Sequence, residues 1–299
     1  MATTMQAIDE AMPTPMNHVL VPIVGFGPGT TWFKDDLSGP LDAQLIEALK
    51  TALASWFIPG NPDKARFSST ESKVGTAIKE SGVSRERLFV TTMVMPDLDG
   101  WRDVPKSLAA SLERLQLDYV DMYLLNFDQY ASFKDIQSAW SSLVALKASG
   151  LTKAIGVSNF DFWLRALLPF GTRTETPLLN QHEWVHPYLQ DRSRLDFNMR
   201  EKGIQVSFFK TFLARTVEPG IPLDTVISTI AAKYATTPLL VLVNWVNQGM
   251  IRVTVPMEMR MLGERIGTDE FDLSSEEREQ ITKVAIEHHI RWYGNSFNY

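Results

Sequence analysis

The sequence predicts a single (β/α)8 barrel, in which eight parallel strands alternate with helices. Apolar runs typical of buried strands alternate with amphipathic helical stretches along the chain. The 299 residues match the length of one such barrel with short extensions. No low-complexity segment or linker interrupts the sequence. We therefore expect one domain over residues 1–299, with residues 1–17 as a candidate flexible N-terminal extension.

Eight runs rich in apolar and β-branched residues predict the strands. In chain order they are VLVPIVGFG (19–27), SWFIPG (55–60), LFVTTMV (88–94), DMYLLNF (121–127), AIGVSNF (154–160), LLNQHEWV (178–185), IQVSFF (204–209) and IRVTVP (251–256). Several of them are apolar at nearly every position. That pattern is typical of strands that are buried on both faces of a parallel sheet.

Apolar residues at helical spacing predict a helix after each strand, with two helices between the seventh and the eighth strand. The stretches are residues 40–56, 68–82, 103–117, 133–150, 161–171, 191–203, 224–237, 238–249 and 274–292. In the second stretch, Ser68 and Glu71 have the spacing of a capping box, and Gly82 is a typical C-terminal stop.

The composition excludes several classes of protein. The net charge of −6 and the lack of a Lys/Arg cluster argue against binding to nucleic acid or to anionic membranes. The chain has no cysteine, which rules out disulfides and thiol catalysis. His182 and His186 are four residues apart but fall on a strand and a loop, so we expect no metal site. The N-terminal stretch lacks the basic and apolar regions of a signal peptide. We expect a cytoplasmic protein, either a monomer or a weak homodimer.

Five motifs occur in a characteristic order. They are GFGPGT (25–30), LDYVDMYLLN (117–126), IGVSNF (155–160), NQHEWVHPYLQ (180–190) and TPLLVLVNWVNQG (237–249). Together they resemble the aldo-keto reductase family from about residue 22 to residue 276. The resemblance implies a (β/α)8 barrel that reduces carbonyl groups with NADPH. It also implies a tyrosine acid, a lysine, an aspartate and a histidine at the ends of the strands.

Other residues stand at these four implied catalytic positions. Met93, in TTMV, takes the place of the lysine, and Asn126, in LLN, takes the place of the histidine. Asn61 falls on the aspartate, and Arg66 or Phe67 on the tyrosine. None of these side chains is a good proton donor at neutral pH, and general acid catalysis contributes about 10²–10⁴-fold. We therefore expect ordinary carbonyl reduction by this set to be severely impaired.

The resemblance also implies residues that would hold the nicotinamide end of a cofactor. Ser158, Asn159 and Gln181 match the residues that bind its carboxamide. Phe208 takes the place of a stacking tyrosine, and stacking needs only an aromatic face. The alternative is that the three polar residues persist because a barrel interior needs them.

The phosphate end of the same site departs from the family pattern. In VPME, Met257 removes a cation and Glu258 adds an anion where the family holds the 2′-phosphate. Two lost charge-assisted hydrogen bonds cost about 3–6 kcal/mol. Arg265 lies near the expected spacing and could compensate in part. In SFFKTF, Lys210 stands where the family has a proline.

Apolar and aromatic residues around these positions predict a pocket for a largely apolar molecule that contains a carbonyl group. The substrate-binding candidates are Met93, Trp32, Trp56, Phe127, Phe208, Gln181 and Trp292. The catalytic candidates are Asn126, Arg66, Lys210 and Asn61. Asn126 would donate to a substrate oxygen, and Arg66 or Lys210 would stabilise its negative charge.

Three hypotheses follow from this pattern. The first is a non-redox enzyme of secondary metabolism without a cofactor, such as a cyclase, isomerase or lyase that folds a reactive substrate. The second is a reductase of C=O or C=C bonds that uses NADPH with a rebuilt acid. The third is a non-catalytic binding protein. The four replaced residues favour the first.

Overall fold

The structure is a computed structural model. It describes residues 21, 24–26, 43–55, 70–94, 103–127, 131–160, 164–167, 175–182, 198, 202–208, 222–246, 251–254 and 271–287. The strands are β1 (Val24–Phe26), β2 (Thr91–Val94), β3 (Val120–Asn126), β4 (Thr152–Ser158), β5 (Leu179–His182), β6 (Gln205–Phe208) and β7 (Ile251–Thr254). Each coincides with a predicted run. Of the predicted strand at 55–60, the structure describes only Ser55, and this residue is helical.

The helices are α1 (Ala43–Ser55), α2 (Glu71–Ser81), α3 (Val104–Leu115), α4 (Phe133–Ala148), α5 (Leu164–Leu167), α6 (Pro222–Lys233), α7 (Pro238–Val246) and α8 (Ser275–Glu287). They fall in eight of the nine predicted stretches. Most of the remaining stretch, 191–203, lies outside the described residues. No helix in the described part of the chain is long and apolar enough to cross a bilayer.

All the described strands pair in parallel, in the order β1-β7-β6-β5-β4-β3-β2. From β2 to β7 the neighbours follow chain order, and β1 lies beside β7. Sequential parallel strands separated by helices, with the first strand beside the last, form the (β/α)8 barrel that the sequence predicts.

The two sides of the sheet pack against different partners, which identifies the interior of the barrel. On one side, residues such as Tyr123 and Leu125 of β3 pack in one cluster with helical residues such as Leu108 and Trp140. On the other side, a second cluster holds residues of the strands and of the segments directly beside them, but none from the helices. Its members are Val21, Met93, Met122, Leu124, Ala154, Leu178 and Leu179, with Phe89 against them. Because side chains alternate between the two faces of a strand, the second cluster fills the barrel interior.

The capping box predicted at Ser68 and Glu71 is wrong. Helix α2 begins at Glu71 with Thr70 as its N-cap, so Glu71 is two positions too early for that motif. Its buried carboxylate instead accepts hydrogen bonds from Thr92 Oγ1 at 2.7 Å and from Arg114 Nε at 2.7 Å. These bonds join α2 to β2 and to α3. The predicted stop is confirmed, since Gly82 follows the helix with φ of 69°.

A second buried carboxylate joins the amino-terminal ends of three strands. Asp121 Oδ2 accepts from Arg85 Nη2 at 2.6 Å and from the backbone N–H of Val90 at 2.8 Å. Asp121 Oδ1 lies 3.0 Å from Lys153 Nζ. Val90 immediately precedes β2, Asp121 is in β3 and Lys153 is in β4. The ion pairs therefore hold the amino-terminal ends of these strands together, opposite the ends where such folds carry their chemistry.

Gly156, in the middle of β4, is required by close packing inside the barrel. A Cβ at this position would lie 2.5 Å from the carbonyl oxygen of Leu179 and 2.8 Å from Cδ2 of Leu124. The glycine therefore lets β5 and the Leu124 side chain approach β4 directly below the carboxyl ends of the strands.

We expect Gly156→Ala to lower the free energy of unfolding by about 3 kcal/mol, because the backbone of β5 must move to make room. Gly82→Ala is the matched control. Nothing lies within 4 Å of its added Cβ, so only the strain of positive φ remains, about 1 kcal/mol. Urea denaturation measures both. Equal losses would show that β5 is not packed against Gly156.

Candidate active site

Four polar side chains form a row at the carboxyl ends of neighbouring strands. In the sheet register, Asn126 of β3 pairs with Ser158 of β4, and Ser158 pairs with Gln181 of β5. Gln181 pairs in turn with Ser207 of β6. Paired residues of parallel strands project from the same face. We call Asn126, Ser158, Gln181 and Ser207 the polar row.

The polar row faces the interior of the barrel. Met122 and Leu124 belong to the interior cluster, so Asn126, two residues further along β3, projects to the same side. Ser158, Gln181 and Ser207 are each 1% exposed, whereas Asn126 is partly exposed. The row is therefore buried along most of its length and reaches solvent near β3.

Met93 lies one layer below the polar row. Its register partner is Leu124, two residues before Asn126, and its side chain is 4% exposed in the interior cluster. The thioether thus continues the apolar floor formed with Leu124 and Leu179. Its role in substrate binding stays a prediction.

The turn after β4 connects the polar row to its surroundings. Asn159 has a left-handed backbone, with φ of 59°. Its backbone N–H donates to the carbonyl oxygen of Gln181 at 2.7 Å, and its Nδ2 lies 3.4 Å from Asn126 Oδ1. The carbonyl oxygen of Ser158 accepts from the backbone N–H of Phe127 at 2.8 Å. These contacts place the Asn159 side chain between β3 and β5, above Ser158.

Asn180 supports this turn from the outer side of β5. Its Nδ2 donates to the carbonyl oxygen of Phe160 at 2.8 Å and to Asn198 Oδ1 at 3.0 Å, and the side chain is fully buried. Since Phe160 follows Asn159 directly, the hydrogen bond fixes the end of the turn that carries the Asn159 amide.

Two buried polar atoms of the row have no hydrogen-bond partner within the described ranges: Gln181 Nε2 and Ser207 Oγ. Burying an unpaired donor costs about 1–3 kcal/mol, so such groups need an explanation. Sequence reasoning missed Ser207. The signal that could have found it is the serine in SFFKTF where the family pattern has an alanine.

The remaining candidates fall into two groups. The Phe127 ring packs against the outer cluster and meets Phe160 edge-on, with centroids 5.4 Å apart. Its place in a substrate pocket stays a prediction. The other candidates lie outside the described residues, apart from the backbone of Phe208: Trp32, Trp56, Asn61, Arg66, Lys210, Arg265, Trp292 and the side chain of Phe208.

Tyr123 is a tyrosine in the middle of β3, but it is not in the polar row. Its position in the outer cluster places it on the opposite face of the strand from Asn126. Burial raises the pKa of its phenol, so the group stays protonated at neutral pH. In the described ranges, no cluster of three His, Asp or Glu residues could hold a metal ion.

A parallel barrel with a buried polar row at the carboxyl ends of its strands has the architecture of a barrel enzyme, since catalytic residues of this fold lie there. The chain belongs to the aldo-keto reductase family. The model of that family, described as "Aldo/keto reductase family", matches residues 28–286. The resemblance seen in the sequence motifs and the barrel fold are both confirmed.

Curated relatives and solved structures agree with this assignment. The chain is 30% identical over 279 residues to the NAD/NADP-dependent indole-3-acetaldehyde reductase of Schizosaccharomyces pombe, covering 91% of this chain and 95% of the relative. It is 32% identical over 241 residues to the glyoxal reductase of Bacillus subtilis, covering 80% and 82%. An aldo/keto reductase structure from Brucella melitensis superposes with a TM-score of 0.75 at 26% identity, covering 91% of this chain and 98% of the other.

Our leading hypothesis, a non-redox cyclase or isomerase, is therefore wrong. The relatives are reductases, and they support the second hypothesis. The expectation of no cofactor is wrong for the same reason, since one relative is named as NAD/NADP-dependent. The error came from reading the side chains at four expected catalytic positions as loss of the family's chemistry, without giving equal importance to Ser158, Asn159 and Gln181, the residues predicted to bind the carboxamide.

The described residues fit the nicotinamide end of such a cofactor. A primary carboxamide needs hydrogen-bond partners for its oxygen and its nitrogen. Gln181 presents a buried amide N–H group without a partner in the described part of the chain. Ser158 is its register neighbour, and the backbone N–H of Asn159 bonds to the Gln181 carbonyl oxygen. These three residues would hold the carboxamide.

We expect Asn180→Ala to lower the free energy of unfolding by about 1–3 kcal/mol, because the Phe160 carbonyl and Asn198 Oδ1 lose a buried donor. Gln137→Ala, which removes an exposed amide on α4, should change it by less than about 0.5 kcal/mol. Urea denaturation compares the two. If both variants are as stable as the parent protein, Asn180 does not support the turn.

Proposed function

We propose that the protein is an NAD(P)H-dependent reductase of small carbonyl compounds. One observation from the structure carries the proposal. The buried and unpartnered Gln181 Nε2 lies in a row with Ser158 and Asn126, at the strand ends where this fold carries its chemistry. The family and the named relatives, which are reductases, support the same reaction class.

When bound, the nicotinamide cofactor supplies the hydride that carbonyl reduction requires. The protein orients the ring and excludes water. Ser158 and Gln181 are buried in the barrel, so their hydrogen bonds to a carboxamide would be formed away from solvent, where they are strong. The Asn159 amide completes this set. Its left-handed backbone is held by the bonds to Gln181 and, through Phe160, to Asn180.

Asn126 is proposed to bind the oxygen of the substrate carbonyl. It is the partly exposed member of the polar row, which suits a group that must meet an incoming substrate. Asn159 Nδ2 lies 3.4 Å from Asn126 Oδ1, which directs the donor side of the Asn126 amide away from Asn159. A fixed amide donor stabilises negative charge that develops on the oxygen.

The proton must come from another group, because a neutral amide does not act as an acid at neutral pH. Of the sequence candidates, Lys210 carries an ammonium group that can give up a proton. Arg66 can add positive charge only, since guanidinium stays protonated. Asn61 is proposed to orient one of these neighbours. Lys210, Arg66 and Asn61 remain candidates from the sequence.

The proposed substrate is a small aldehyde with an apolar substituent. Two relatives are named for indole-3-acetaldehyde and for glyoxal, both of which are aldehydes. Met93 and Leu124 form an apolar floor beneath the polar row, which suits an apolar group better than a charged one. Trp32, Trp56, Trp292 and Phe208 are proposed to line the walls.

Cofactor binding and turnover test the proposed function directly. Tryptophan fluorescence should be quenched when NADPH or NADH is added at micromolar concentration. Oxidation of the bound dinucleotide should then follow the addition of glyoxal, methylglyoxal or indole-3-acetaldehyde. Absence of binding by both dinucleotides would overturn the proposal. If the protein binds a dinucleotide but reduces none of these aldehydes, only the cofactor part of the proposal stands.

We expect Asn126→Ala to lower kcat by about 10²–10³-fold, because it removes a preorganised donor at the substrate oxygen. Asn126→His is the control. It restores the residue type that the family resemblance implies at this position, and a ring N–H can take over the hydrogen bond, so activity should be kept. Single-turnover rates with saturating dinucleotide measure both. A loss of less than tenfold in Asn126→Ala would remove this residue from the catalytic set.

A further inference from the structure

Ser207 differs from two other buried hydroxyl groups of the described strands, those of Thr92 and Thr152. Thr92 Oγ1 donates to Glu71 at 2.7 Å, and Thr152 Oγ1 donates to the carbonyl oxygen of Ala154 at 2.7 Å. Ser207 Oγ is equally buried but has no partner among the described residues. Those two hydroxyls are therefore satisfied within the fold, whereas Ser207 Oγ faces the barrel interior without a partner in the described structure.

A second unpartnered atom, on the neighbouring strand, indicates what the Ser207 hydroxyl binds. Gln181 is the register partner of Ser207 on the adjacent strand, and its Nε2 is also buried and unpartnered in the described part of the structure. Neighbouring strands are only about 4.8 Å apart, so both atoms can reach one small ligand group. These two unpartnered polar atoms, on adjacent strands, therefore define one binding position inside the barrel.

The chemistry of the two atoms specifies the ligand group. Gln181 Nε2 can only donate, so its ligand partner must be an acceptor. The Ser207 hydroxyl can also accept, and a ligand donor next to that acceptor would use this ability. A primary carboxamide presents a carbonyl oxygen and an NH₂ group side by side. A carboxylate would instead bring a negative charge into a buried site that has no cation in the polar row.

We propose that Ser207 is a cofactor-binding residue that accepts a hydrogen bond from the carboxamide nitrogen of the nicotinamide, while Gln181 donates to the carboxamide oxygen. This inference rests on the proposed function and adds a residue to it. Ser207 thereby acts as a specificity residue. It distinguishes an amide at this position from a ketone of nearly the same shape, in which a methyl group replaces the NH₂ group.

The test combines a protein variant with a cofactor analogue. Binding of NADP⁺ and of its 3-acetylpyridine analogue is measured by calorimetry on the parent protein and on Ser207→Ala, with the matching NAD⁺ pair in parallel. One neutral hydrogen bond changes affinity by about 2–12-fold. Ser207→Ala should therefore raise Kd for the natural dinucleotide by that factor. For the acetylpyridine analogue, Kd should change by less than about twofold, because the bond is already absent.

Stability without cofactor provides the second measurement. The Ser207 hydroxyl has no partner in the described structure, so its removal should not lower the Tm of the protein alone. Ser111→Ala is the control. This serine is also buried, but it lies on α3 outside the barrel and accepts from Arg114 Nη2 at 3.3 Å. Its removal should leave both affinities unchanged.

The outcomes separate the two claims. If the parent protein binds neither dinucleotide, the proposed function fails and this inference fails with it. If the parent protein binds but Ser207→Ala has the same Kd, or loses equal affinity for both ligands, only the inference fails. A lower Tm of Ser207→Ala without cofactor would show a structural partner and would also overturn it.

Discussion

The register of β3, β4, β5 and β6 is the constraint on which the site depends. Because side chains alternate along a strand, a shift of one residue in any of these pairings would exchange the inner and outer faces. Asn126, Ser158, Gln181 and Ser207 share the interior only because their strands pair at those residues. Gly156 strengthens this register, since the missing Cβ lets Leu124 and Leu179 pack directly beneath the row. Packing below the site and geometry within it are therefore set by the same contacts.

When no ligand is bound, the polar row lowers the free energy of unfolding of the barrel. Each buried polar atom without a partner costs about 1–3 kcal/mol, and the described part of the row contains two. Buried carboxylates elsewhere have good partners, as Glu71 has in Thr92 and Arg114. Polar groups left unsatisfied at a binding site are a common cost of function in enzymes.

The sequence predicted the barrel well because the patterns that indicate its strands and helices lie within short stretches of the chain. Runs such as DMYLLNF are apolar enough to identify a strand, and glycine after SSTESKVGTAIKES marks a helix end. The face of each residue was harder to predict. IQVSFF is apolar at most positions, so only the pairing with β5 shows that Ser207 points inward. The prediction of the capping box failed for a related reason. Glu71 is bonded to Thr92 and Arg114, and both of these residues are distant from it in the sequence.

Function was predicted less well than fold. Met93 and Asn126 lie near the carboxyl ends of β2 and β3, but a comparison with expected catalytic side chains does not define a reaction. The residues that bind a cofactor indicate the type of reaction as much as the residues that transfer a proton do. Here Ser158 and Gln181 are in register and buried. With the named relatives, they favour reduction over the non-redox chemistry that the sequence alone suggested.

The ion pairs of Asp121 have a consequence for how this barrel can evolve. They tie β2, β3 and β4 together at their amino-terminal ends through Arg85 and Lys153. The polar row lies at the opposite ends of the same strands and takes no part in these contacts. A change of side chain in the polar row therefore leaves the ion pairs at the amino-terminal ends in place. Asn126, at the carboxyl end of β3, can thus change without affecting the carboxylate of Asp121 that holds the amino-terminal end of the same strand.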